Sequence, residues 1–79
     1  MNEGAKVFHR IARWSIDAQQ HGVAGEPFPL TRAEAWELTA YLCLSGSVRC
    51  RGKRVKPDVV IDSILKGTME LYGCHLLVI

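Results

Sequence analysis

The sequence lacks any apolar run near the roughly 18–20 residues needed to cross a bilayer, which excludes a membrane span from its expected architecture. Its opening residues, Met-Asn-Glu-Gly, have none of the charged start, apolar stretch and cleavage site of a secretory signal. Cysteine is scarce, and Cys43, Cys50 and Cys74 form an odd set without framework spacing. Disulfide-stapled secreted domains usually carry even sets, so a cytoplasmic location is expected. There is no internal repeat, low-complexity tract or second domain, which leaves residues 1–79 as one unit.

A chain of 79 residues buries only about 60% of its unfolded surface and gains roughly 3–5 kcal/mol from its core. Such a core has little room for a deep ligand pocket, which usually needs about 300 Å³ or more. Small size thus points away from an enzyme and towards a protein that works through its surface. The composition, 48% hydrophobic and 23% charged, is that of a folded domain and not of a disordered tail.

Charge is unevenly placed. The formal net charge of +2 is too small to imply a nucleic-acid partner by itself. Yet Arg49, Arg51, Lys53, Arg54 and Lys56 set five cations within residues 49–56. The other five basic residues face eight acidic ones, so the rest of the chain is mildly acidic.

Apolar spacing predicts three helices. In residues 4–20, Val7, Ile11, Trp14 and Ala18 recur on one face, widened by Phe8 and Ala12, and Gly22 suits the stop. Residues 22–30 read as a connector, because Gly22, Gly25, Pro27 and Pro29 oppose regular structure; Phe28 and Leu30 would pin it to the core. Thr31-Arg32-Ala33-Glu34 is a capping box that opens the second helix, and Gly46 ends it. The second half of that helix is apolar almost all round, which predicts the central buried helix, with Trp14 and Trp36 both in the core. Pro57 and Asp58 start the third helix, Val60, Ile61, Ile64 and Leu65 form its buried stripe, and Lys66-Gly67 end it.

The remaining segments read as strands or loops. Val48 and Cys50 alternate with Arg49 and Arg51, which fits a short edge strand turning at Gly52; a bare basic loop is the other reading. Residues 68–72 and 75–79 form a hairpin, with Gly73-Cys74 suited to a type II′ turn. The second arm, His75 to Ile79, is nearly all apolar and should be covered on both faces. The expected fold is therefore α+β, three helices packed on a small antiparallel sheet closed by a C-terminal β-hairpin.

No catalytic, cofactor or metal constellation stands out. A phosphate-binding loop needs four residues between its glycines, then Lys and Ser/Thr; Gly46 and Gly52 are separated by five, and Arg54 follows Lys53. Zinc usually takes paired ligands at short spacing, but adjacent Cys74 and His75 would face opposite sides of a strand. Cys74, at the hairpin tip, is the most exposed thiol expected, and nothing supplies its base or orienting group. His9, His21 and His75 are scattered.

The order helix–helix–helix–hairpin echoes a winged helix, and the 49–56 cluster could neutralise phosphates. A recognition helix, however, should present Arg, Lys, Asn or Gln, and the third helix offers Asp58 and Asp62 with only Lys66. Arg49, Arg51, Lys53, Arg54 and Lys56 are accordingly the candidate partner-binding residues, with protein the first class of partner and nucleic acid the second. A solubility device, charges guarding an edge strand, is the plainer account of the same cluster. The segment Gly67 to Val78, with Leu71, Tyr72, Gly73, Leu76 and Val78, resembles the closing hairpin of short phage- and prophage-encoded accessory proteins. That resemblance implies a non-enzymatic protein that binds and inhibits or modulates a bacterial host complex, as anti-CRISPR inhibitors do. A small phage structural or assembly component and a nucleic-acid-associated regulator are the alternatives. A homodimer through the apolar C-terminal hairpin is also expected, and no membrane partner.

Overall fold

A computed structural model describes residues 2–22, 26–46 and 48–79. Gly25, expected to interrupt the connector, lies outside them. In chain order the elements are α1 (Glu3–Gln20), β1 (Phe28–Leu30), α2 (Arg32–Ser45), β2 (Arg49–Cys50), β3 (Lys53–Arg54), α3 (Pro57–Leu65), β4 (Glu70–Leu71) and β5 (Cys74–Val78).

Each helix begins where its capping chemistry lies. Asn2 accepts the Ala5 N–H at 2.7 Å to open α1. The Thr31 hydroxyl accepts the Glu34 N–H at 3.1 Å while the Glu34 carboxylate accepts the Thr31 N–H at 2.8 Å, the reciprocal bonding of a capping box. Pro57 sits in the first turn of α3, where its missing N–H costs nothing. Gly46 closes α2 at φ +68°, in the left-handed region that a glycine enters without a Cβ clash.

The helices α1 and α2 meet at Gly4. A Cβ there would lie 2.6 Å from the Tyr41 Cβ, and closer still to the Glu37 carbonyl oxygen. Glycine costs about 1 kcal/mol inside a helix, and here it permits backbone contact between helices. Arg10, further along α1, reaches the Glu34 carboxylate at the start of α2, so the two helices run antiparallel.

The core gathers Val7 and Ile11 from α1, Phe28 and Leu30 from β1, Ala35, Leu38 and Leu42 from α2, Val60, Ile61 and Ile64 from α3, and Leu76 from β5. Two buried hydroxyls are bonded inside it. Ser15 donates to the Tyr72 carbonyl at 2.8 Å, and Thr39 to the Ala35 carbonyl at 2.8 Å. No buried side-chain nitrogen or oxygen among the described residues lacks a partner.

The sheet is mixed, not wholly antiparallel as the sequence suggested. Its order is β1-β5-β4, with β1 parallel to β5 and β4 antiparallel to it. Residues 28–30, expected as connector, are a strand, because β5 supplies a partner 48 residues further along the chain. In that register buried Phe28 meets buried Leu76, and exposed Pro29 meets exposed Leu77. Pro29 has no N–H to donate, and β1 is an edge strand, where proline is tolerated.

Two further expectations change at the C-terminal hairpin. The central residues of its turn are Tyr72 and Gly73, at φ +53° and +76°. Two positive φ values mark a type I′ turn, not the type II′ turn expected around Gly73-Cys74. And β5 is covered on one face only. Cys74 and Leu76 point into the core, whereas His75, Leu77 and Ile79 are exposed. Cys74, expected as the exposed thiol, is 4% exposed.

Candidate interaction surface

The basic segment resolves the choice between edge strand and loop in favour of a small separate ribbon. β2 and β3 pair antiparallel, Arg49 opposite Arg54 and Cys50 opposite Lys53, and they form their own two-stranded sheet. The turn between them is Arg51-Gly52, at φ +54° and +80°, again of type I′. Of the alternation expected in this segment, Val48 is half-buried, Arg49 and Arg51 are exposed, and the Cys50 side chain and Ser47 lie outside the described residues.

Apolar roots anchor the ribbon while its tip stands in water. Val48 and Val55 are half-buried against the core, and the Val55 N–H donates to the Val48 carbonyl at 3.5 Å. The Cys43 thiol of α2 points at the Val55 carbonyl at 3.8 Å. Beyond these roots Arg49, Arg51, Lys53, Arg54 and Lys56 are all exposed. None of the five pairs with a carboxylate among the described residues; the ion pairs there are Lys6–Glu3, Arg10–Glu34, Lys66–Asp62 and a long His75–Glu70 contact.

The five cations are not equivalent. Arg49 donates from Nε to the Gly46 carbonyl at 3.3 Å and from Nη1 to the Gly52 carbonyl at 3.3 Å. It braces the ribbon between the end of α2 and the hairpin turn. A Cβ on Gly46 would lie 3.5 Å from an Arg49 Nη and 3.6 Å from the Arg54 Nε and Nη. Two like charges opposite each other across a ribbon repel. Here they meet over the C-terminal end of α2, where the helix dipole concentrates negative charge. Arg51, Lys53 and Lys56 have no such structural employment in the described contacts.

The surface also exposes an apolar stripe that sequence reading placed in the core. Ala35, Leu38 and Leu42 of α2 are buried, but Trp36, Ala40 and Leu44 face solvent at successive four-residue steps. Trp36 is 54% and Leu44 81% exposed. The second half of α2 is apolar almost all round, but the described elements cover only one side of it, so it is not wholly buried. Trp14, also expected in the core, is half-buried, with its ring edge-on to Phe28 at 5.6 Å. Leu44 lies in the last turn of α2, and Glu37, exposed on the same side of the helix, sets a carboxylate beside the stripe. Arg32, exposed at the start of α2 and outside any ion pair among the described residues, adds a cation at the other end. The four-residue recurrence opposite the buried residues was the signal in the sequence that could have exposed this face.

Elsewhere among the described residues two shallow depressions occur. A depression along the outside of α1 is lined by residues of that helix alone, among them His9, Arg13 and Asp17. Another adjoins Trp14, His21 and Glu26. Among the described residues no three His, Cys, Asp or Glu side chains gather as metal ligands, and Cys74 and His75 face opposite sides of β5. No described helix is long and apolar enough to cross a membrane. No protein-family model, curated protein or solved structure matches this chain.

Proposed function

We propose that this chain is a non-enzymatic binding domain that docks on a protein partner through the basic ribbon 49–56. The observation that carries this reading is five exposed cations within residues 49–56, unpaired with any described carboxylate. Arginine is among the residues enriched at interface hot spots. The resemblance of Gly67–Val78 to phage accessory proteins extends the reading to a host complex in a bacterium, inhibited or modulated by occupation of an acidic surface.

Nucleic acid is the second reading, favoured by the same unpaired cations. A β-ribbon can enter a major groove, but two residues per strand give only about 7 Å of ribbon. Contact of that kind would be with phosphates and indifferent to sequence. The exposed residues of α3, Asp58 and Asp62 with Lys66, oppose its use as a recognition helix.

The test is capture from bacterial lysate by the tagged chain, with and without nuclease, alongside the variant Arg51→Glu/Lys53→Glu/Lys56→Glu. That variant spares Arg49 and should melt within about 0.5 kcal/mol of wild type, as surface changes do. Retention of one protein complex after nuclease, lost in the variant, is the expected result. Loss on nuclease treatment, with a steep salt dependence of DNA binding, would put nucleic acid first. Equal capture by variant and wild type would reduce the ribbon to a solubility device.

A further inference from the structure

Arg49 and Arg54 stand directly opposite each other on the ribbon, so their side chains share one face, and Lys53 lies on the other. Both guanidiniums come down over Gly46. The Arg49 Nη2 lies 3.5 Å, and the Arg54 Nε and Nη2 each 3.6 Å, from the place a Gly46 Cβ would take. All three nitrogens are within 3.6 Å of one point, so no two are more than twice that distance apart.

The donors of this pair are ordered but unfilled. Arg49 is held by its Nε and Nη1 bonds to the Gly46 and Gly52 carbonyls, which leaves Nη2 without a described partner. Arg54 makes no hydrogen bond or ion pair, and its Nε and Nη2 are equally near Gly46, which turns that edge of the guanidinium towards the pair. The Nε–Nη edge is the fork that gives two parallel bonds to an oxyanion. No described carboxylate comes within ion-pair distance of either arginine.

Charge identifies the oxyanion. The end of α2 beneath the pair supplies the equivalent of about half a negative charge against two positive ones. The remainder matches a phosphomonoester, which carries about −1.5 to −2 at pH 7 and three strong acceptor oxygens. A carboxylate, or a phosphate within a nucleic-acid strand, carries a single negative charge and would leave part of the pair uncompensated.

We propose that Arg49 and Arg54 clamp a phosphomonoester, the phosphorylated side chain of a partner protein. Arg54 binds it through the fork of Nε and Nη2, and Arg49 closes on it with Nη2. This rests on the reading that the ribbon binds protein, and it names the group recognised.

Nuclear magnetic resonance titration of the labelled intact chain tests it. The probes are three short peptides with neutral flanks, alike except for a central phosphoserine, glutamate or serine, and a DNA duplex. The phosphoserine peptide should shift the Arg49 and Arg54 Nε signals and the Gly46 amide together. It should bind at least about tenfold more tightly than the glutamate peptide. Arg54 has no structural bond, so Arg54→Ala should leave the melting temperature near that of wild type while weakening the phosphoserine peptide about tenfold or more. Arg54→Lys, which keeps the charge and loses the fork, should stay at least about threefold weaker than wild type. Lys53→Ala, on the other face of the ribbon, should cost about threefold or less.

Equal binding of the glutamate and phosphoserine peptides would overturn the assignment of a phosphomonoester. Equal losses from Lys53→Ala and Arg54→Ala would show a diffuse field and overturn the clamp, as would full binding by Arg54→Lys. DNA bound more tightly than the phosphoserine peptide would give the pair to nucleic acid and overturn it too. If the phosphoserine peptide shifts nothing at millimolar concentration while the triple ribbon variant still loses a captured complex, the docking reading stands and the phosphate clamp falls.

Discussion

Gly4 of α1 lies against the backbone of α2 so closely that a Cβ on residue 4 would stand 2.6 Å from the Tyr41 Cβ and press on the Glu37 carbonyl. The groups it would meet are main chain and a Cβ, neither of which can swing aside. Gly4→Ala improves helix propensity by about 1 kcal/mol, yet overpacking at such a contact costs about 1–3 kcal/mol. The expected outcome is net destabilisation by urea unfolding. A more stable Gly4→Ala would show that α1 and α2 are further apart than described.

Ser15 ties the middle of α1 to the tip of the C-terminal hairpin through its 2.8 Å bond to the Tyr72 carbonyl. The Phe8 and Tyr72 rings, 5.5 Å apart, support the same junction. Ser15→Ala removes the donor and leaves the carbonyl to find water, for a cost of about 1 kcal/mol. Amide exchange should accelerate for β4 and β5 more than for α2. Uniform acceleration across the chain would mean that the bond does not hold the hairpin locally.

Glu34 makes stability depend on pH. The Thr31 N–H donated to its carboxylate lowers its pKa below the ordinary glutamate value; burial opposes this in part, and Arg10 adds to it. A carboxyl with a folded pKa below its unfolded one contributes stability in full above the unfolded value, about 4.3. That contribution is lost as pH falls through the lowered folded value. The stability gap between wild type and Glu34→Gln should therefore narrow between pH 5 and pH 3 in urea titrations. Thr31→Ala, which loses the other half of the cap, should cost about 1 kcal/mol, with far less dependence on acid.

Arg49 and Arg51 should separate structure from binding within the ribbon. Arg49→Ala removes two bonds to carbonyls, so the β2–β3 amides should exchange faster. Arg51 occupies a left-handed turn position, φ +54°, that asparagine tolerates better. Arg51→Asn should leave the ribbon intact or slow its exchange, while deleting one cation from the proposed docking surface. The opposite pattern, a ribbon loosened by Arg51→Asn and untouched by Arg49→Ala, would reverse their assigned roles.

The open face of β5 makes the last prediction. Leu76 is buried, whereas Leu77 is 48% and Ile79 77% exposed. Leu76→Ala should cost about 2–5 kcal/mol, while Leu77→Asp and Ile79→Asp should stay within about 0.5 kcal/mol in a monomer. Sedimentation across a range of concentrations completes the test. Self-association that both aspartates abolish would assign this face to a second copy through the hairpin.

What the sequence determined by itself was local. The capping box at Thr31 and Glu34, Pro57 at the start of α3, Gly46 after α2 and the buried stripes of α1 and α3 depend on residues within a turn or two. Their chemistry is written in short spacings, and each element stands where those spacings put it. The basic cluster was equally legible, because charge needs no fold to be counted.

Tertiary structure alone decided the rest. Phe28-Pro29-Leu30 became a strand because β5 offers it a ladder, and a three-residue segment containing proline has no period by which to announce that. Whether β5 and α2 are covered on one face or two depended on how many elements the chain has left to pack against them. Apolar composition measures only the wish to be covered, and three short helices satisfy it for one side of each. Arg49 became a brace instead of a free cation because the β2–β3 register brings it over Gly46, and that register is set by the turn at Arg51-Gly52 together with the anchorage of Val48 and Val55. The four-residue recurrence of Trp36, Ala40 and Leu44 was in the sequence, but only the assembled core decided that this side of α2 stays uncovered.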